Sequence, residues 1–184
     1  MSKRKIMGII VLIGITAVFI FCFFLYACIK TKSTGISQYS PFKEWMGKTV
    51  TMDKETIVLT EKVKQYNDKN YPYLLLDSLH PSWPYLDERI ELGDYILVEK
   101  FPAGAKFHIE KAVQFTAGVS GNSTPFVFGT ISYNGKNHKI GYQWGTMDIA
   151  KFMDKVKACW QFHPTPWQSL ADTAYYELPE AEWW

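Results

Sequence analysis

Four histidines, His80, His108, His138 and His163, and one cysteine beyond the first thirty residues, Cys159, are the side chains of this chain best suited to metal or nucleophilic chemistry. Zinc sites usually draw on His or Cys pairs that one turn of an element brings to the same side. No histidine here stands four residues from another, and Cys159 has no cysteine beside it, so the spacing predicts no metal site and no cofactor. Gly118-Val-Ser-Gly121 sets a serine near two glycines, but the spacing is not that of a nucleophile turn. The segment behind it reads as a strand, whereas a phosphate-cradling loop needs a helix there, so it is expected to be a plain hairpin loop. Asp87, Glu88 and Glu91 could supply paired carboxylates, yet nothing sets a nucleophile, a base and an orienting group together, and they read as a polar approach to a strand. No catalytic residue is expected, and Cys159 reads as a buried, inert thiol.

Two aromatic stretches point to binding instead. In His80-Pro-Ser-Trp-Pro-Tyr85 two prolines stiffen a loop that carries Trp83 and Tyr85, rings that offer large contact area at small entropic cost. The C-terminal DTAYYELPEAEWW (Asp172–Trp184) holds four acids, no bases and four aromatics. It could clamp onto its own domain or dock on a basic partner. Trp83, Tyr85, Trp183 and Trp184 are therefore the candidate partner-binding residues.

These side chains must be positioned by strands. Asp94–Phe101, Lys106–Thr116, Thr124–Tyr133 and Lys136–Gly145 alternate apolar and polar residues, separated by a Pro102-Ala-Gly104 turn, a Gly- and Ser-rich loop and Asn134-Gly135. They predict a meander of four antiparallel strands. In Lys106–Thr116 strict alternation puts Phe107, Ile109, Val113 and Phe115 on one face. Lys48–Met52 and Thr56–Val63 read as a further hairpin, and Tyr73–Leu76 as a buried strand. The period then changes: over Thr146–Lys157, Ile149, Phe152, Met153 and Val156 share one helical face, with Thr146 as cap, predicting an amphipathic helix that plugs the barrel end or lies across the sheet. The fold class expected is mainly β (α+β), a small antiparallel, barrel-like domain. The order Gly-Asp-strand, Pro-Ala-Gly turn, strand, Asn-Gly hairpin over Gly93–Gly145 broadly resembles small SH3-like barrels, which implies a closed barrel but carries no site across.

Ahead of the domain, Ile6 to Ile29 contains no charge and no proline, enough for a helix of about 36 Å against a hydrocarbon core of about 30 Å. Lys3, Arg4 and Lys5 precede it, predicting a cytoplasmic residue 1–5 segment, a membrane anchor over 6–29 and an exported remainder. Leu25-Tyr26-Ala27-Cys28 resembles the lipobox of bacterial lipoproteins, which makes Cys28 a lipidation candidate. Tyr26 departs from that pattern, and the apolar run exceeds the h-region of a cleaved signal, so the uncut anchor is the expected form. Residues 30–41 read as a polar tether and 42–184 as one domain.

The overall charge of +2 hides an asymmetry: five of the 20 basic residues and none of the 18 acidic ones precede residue 42, leaving fifteen against eighteen, a net of −3, beyond it. No basic run suits a phosphate backbone, so nucleic acid is not an expected partner. Together these readings imply a membrane-anchored, single-pass, exported, non-enzymatic binding protein of the bacterial envelope. Its partner would be a protein, such as a basic toxin or an envelope enzyme, with recognition of cell-wall glycan or peptide as the alternative and an enzyme with an unrecognised site as a lesser one.

Overall fold

The computed structural model describes residues 3–62 and 68–181. It opens on one long helix, α1 (Lys3–Ile29), whose side chains face outward along almost its whole length. By length and composition α1 is able to cross a membrane. Beyond it the chain forms β1 (Lys32–Gly35), β2 (Thr49–Thr51), β3 (Thr56–Glu61), β4 (Tyr73–Asp77), α2 (Leu86–Glu91), β5 (Tyr95–Phe101), β6 (Lys106–Thr116), β7 (Ser123–Tyr133), β8 (Lys136–Gln143), β9 (Thr146–Met147), α3 (Ile149–Met153) and β10 (Trp160–Gln161). The protein is thus mainly β, with an apolar N-terminal helix and two further short helices.

One sheet runs in the order β1-β6-β7-β8-β4-β3-β5, with β2 on β6 beyond the end of β1. It is open rather than closed into a barrel, and it is mixed, because β4 lies parallel to β8. The buried residues of β4 explain its interior slot: Leu75 faces the main core and Leu76 a second cluster on the opposite face, and a strand buried on both sides needs neighbours on both edges.

Of the expected meander, β6, β7 and β8 form, and the tight turn between the last two has positive φ at Asn134 (48°) and Gly135 (79°), as a type I′ turn requires. The strand β5 departs from that expectation. It pairs with β3 at the far edge of the sheet, with four strands between it and β6, so the SH3-like order does not form. The turn after β5 is held elsewhere: Met52, fully buried, donates its N–H to the Ala105 carbonyl and accepts from the Gly104 N–H, both at 2.8 Å. For the same reason β2 pairs with β6, and the expected β2–β3 hairpin is absent.

Residues 30–41 are not a free tether. Lys32 stands opposite Thr116 in the β1–β6 ladder, Ile36 N–H donates to the Ala112 carbonyl at 3.0 Å, and the Ile36 side chain is fully buried. Two residues alone separate helix from sheet.

A bulge at Glu110 breaks the alternation of β6, since Ile109 opposes Gly129 and Lys111 opposes Phe128. Phe107 and Ile109 face the main core, but past the bulge Ala112 takes that side. Val113 and Phe115 turn to the other face, against Phe126 and Phe128. Gln114 is buried in consequence, donating its Nε2 hydrogen to the Pro179 carbonyl at 2.7 Å.

The main core is aromatic. Trp144 lies edge-on to Phe42 (5.3 Å), Phe162 (5.4 Å) and Trp167 (5.8 Å), and its Nε1 donates to the His163 carbonyl. The helix expected over Thr146–Lys157 is shorter than its periodicity suggests. Thr146–Met147 is drawn into β9 by pairing with β10, and Asp148 becomes the cap, its Oδ1 accepting from Lys151 N–H at 3.1 Å. Ile149, Met153 and Val156 are left exposed, not packed on the sheet.

Candidate functional site

The buried strands bring together a cluster of titratable groups in the interior. Tyr142, on β8, donates its hydroxyl hydrogen to Asp77 Oδ2, at the end of β4, at 2.7 Å, and lies 3.0 Å from His163 Nε2. With that hydrogen committed to Asp77, the Tyr142 oxygen accepts from His163, which places the imidazole hydrogen on Nε2. His80 stands edge-on to His163 at 5.6 Å, and its Nδ1 accepts from Ser82 N–H at 3.0 Å. Burial pushes the Asp77 carboxyl above its usual range, partly offset by the Tyr142 bond, and holds the Tyr142 hydroxyl well above its own. Burial, and then the neighbouring His163, lowers His80 to about 3; burial alone lowers His163 to about 4. Both rings are therefore neutral at physiological pH. Asp77 and Tyr142 are closed to solvent and His80 is 2% exposed, so the cluster ties β4, β8 and the 162–167 segment together and offers a substrate little access.

His108 and His138 lie apart from it. The first approaches Thr49 Oγ1 at 3.1 Å, and the second stands against Tyr73 and Phe101. Among the described residues no group of three or more His, Cys, Asp or Glu is placed to hold a metal ion. The Gly118–Gly121 loop is a closed hairpin turn, with Gly121 N–H donating to the Ala117 carbonyl. Asp87, Glu88 and Glu91 belong to α2 rather than to an extended approach. Cys159 is buried, and burial raises its thiol above its ordinary value.

The predicted aromatic residues separate. Trp83 packs with Leu86, Leu59 and Leu76 in the second cluster, whereas Tyr85, two residues on, is 59% exposed. In the C-terminal stretch, Tyr176 exchanges both backbone bonds with Trp160, Leu178 enters the main core, and Ala181 N–H reaches Thr116 Oγ1. The tail is thus clamped on its own sheet as far as Ala181. Trp183 and Trp184 lie outside the described residues, as does the end of the predicted Thr56–Val63 strand.

The surface that sequence reasoning missed is β5. Ile96 (59% exposed), Leu97 and Val98 are exposed in succession, with Ile90 and Leu92 exposed on the adjoining α2 segment. Among the described residues β5 has a strand on one side only. The stretch is bare only in its middle, since Tyr95 packs on the second cluster and Phe101 is buried in the main core, and a bulge at Val98 interrupts its pairing with β3. The expected alternation of Asp94–Phe101 fails at Ile96-Leu97-Val98, three apolar residues in succession, and that run is the signal in the sequence. Comparison of the chain with protein families, curated proteins and solved structures gives no match.

Proposed function

We propose that the chain is a membrane-tethered, exported, non-enzymatic protein-binding module of the bacterial envelope, of the immunity, inhibitor or assembly-factor kind, and that it takes its partner along β5. The open edge carries this reading. Proteins ordinarily blunt an edge strand with charge, proline or a covering element, because its unpaired N–H and C=O groups template another chain. Here Glu99 and Lys100 bring charge to one end only, while Ile96, Leu97 and Val98 stay bare. A partner segment adding to β5 would gain backbone hydrogen bonds along the edge and apolar contacts with Ile96, Leu97 and Val98. Tyr85, at the start of α2, supplies a further exposed ring. The net −3 beyond residue 41 favours a basic partner and speeds its encounter.

Lys3, Arg4 and Lys5 support a cytoplasmic N-terminus with the domain on the far side. Tethering follows whether α1 stays whole or the chain is cut and lipidated at Cys28. The intact mass of the membrane-extracted protein separates the two. A photo-crosslinker at Leu97 in the full chain, in its native membrane, is expected to give one discrete adduct, lost in Ile96→Glu, with none from position 139. No adduct at 97, or equal yields from both positions, would overturn the reading.

A further inference from the structure

The end of the sheet next to α1 carries a second set of exposed apolar side chains. Because β1 leaves the helix and β6 runs antiparallel to it, Thr116 and the loop 117–122 return to the helix end. Gly118 is seated there so closely that a Cβ would strike the backbone carbonyls of Cys28 and Lys30. In this loop Val119 is 81% exposed. The chain comes back to the same end through β8, whose Gln143 stands opposite Phe126 near the start of β7, and continues into α3. Two adjoining hollows, of about 580 and 560 Å³, connect the regions. The first is lined by Lys32 and Gly118 as well as Phe152; the second shares Phe152 and extends to Met153 and Val156. Met153 is 71% exposed, and Ile149 and Val156 are exposed beside it.

From this placement we infer that α3 and the Val119 loop form a second membrane contact, inserting Ile149, Met153, Val156 and Val119 into the bilayer that α1 crosses. The inference rests on the reading of α1 as a membrane span. Continuity argues for lipid as the occupant: the hollow starts at Lys32, three residues past the last apolar residue of the anchor, at the level of the headgroups. A short segment with apolar side chains on one side and lysines around them is suited to the interface plane. Lys32, Lys155 and Lys157 line these hollows against Glu177 and Glu180, and Lys151 of α3 against the Asp148 cap, so insertion of the apolar side chains, more than charge, carries the contact.

The test is spin-label depth measurement on the full chain, with Cys22 and Cys28 replaced by serine, in vesicles of phosphatidylethanolamine and phosphatidylglycerol. Labels at Met153→Cys and Val119→Cys are expected to be more accessible to dissolved oxygen than to a water-soluble nickel chelate. A label at Lys136→Cys should show the reverse, and one at Val18→Cys marks the bilayer core. Position 18 in lipid with 153 and 119 as aqueous as 136 would overturn the second contact alone; position 18 in water would overturn the membrane span with it. Met153→Asp should return a label at Val156→Cys to water, and a label that stays in lipid would also count against the inference.

Discussion

One hydroxyl, that of Tyr142, serves both Asp77 and His163 inside the domain. Tyr142→Phe leaves Asp77 Oδ2 without this donor in a closed interior, which should cost about 1–3 kcal/mol of unfolding free energy in chemical denaturation. The histidines add a pH dependence whose sign follows from their shifts. In the unfolded chain a histidine titrates near about 6.5, while His80 and His163 in the fold titrate at about 3 and about 4. Between these limits the unfolded chain binds more protons, so stability is lost as pH falls below about 6.5, by about 1 kcal/mol per pH unit for each ring. Asp77 opposes this, since its raised pKa lets the folded carboxyl keep a proton that the unfolded one releases. Melts at about pH 7 and about pH 5 should show the net loss, and His163→Gln should reduce it by roughly half. An undiminished loss in that variant would place the pH sensitivity elsewhere.

At the scale of elements, the β7–β8 turn and the β5 edge make opposite predictions. Gly135→Ala puts a Cβ on a residue at φ 79°, and thermal unfolding should register a loss of about 1–2 kcal/mol. Ile96→Lys should leave stability within about 0.5 kcal/mol of the parent, because the side chain is exposed, yet abolish crosslinking through β5. The contrast mirrors what could be read in advance. Asn134-Gly135 and the alternation of the strands beside it depend on neighbours along the chain, and they form as expected. Which strand lies beside which depends on distant contacts. Met52 holding the Gly104 turn sends β5 to the far edge, and nothing in the spacing of residues 94–116 encodes that. The Glu110 bulge likewise reverses the faces of Val113 and Phe115, because a single extra residue shifts a period of two. In α3 the helical period was present, but β9 pairing removed the first turn, so Phe152 alone of that face packs on the main core while Ile149, Met153 and Val156 stay exposed.

For the whole molecule, the strongest consequence lies at the junction of helix and domain. A chain starting at residue 31 retains the β1–β6 ladder and Ile36, whereas one starting at residue 42 loses both. Denaturant titration should therefore find the shorter chain less stable by at least about 2–5 kcal/mol, the range for emptying a fully buried aliphatic site. Equal stability of the two would mean that β1 is a passive strap. The candidate site was only partly legible for a related reason. Local composition marked the C-terminal stretch as one that would clamp on its own domain or dock on a partner without deciding between them, while His80 and His163 meet across 83 positions of sequence, and an edge strand becomes recognisable only when its neighbours are known.

A free leash over residues 30–41 could reach about 40 Å from the bilayer, while the two residues that join helix to sheet reach about 7 Å. Gly118, wedged on the helix end, narrows the swing further. On the proposed reading of α1 as a membrane span, the domain would sample a thin layer above the bilayer at a nearly fixed bearing, and β5 would meet other molecules from a set height and direction. Partners confined to that layer would encounter it by search in two dimensions, whereas those in free solution must first descend to it.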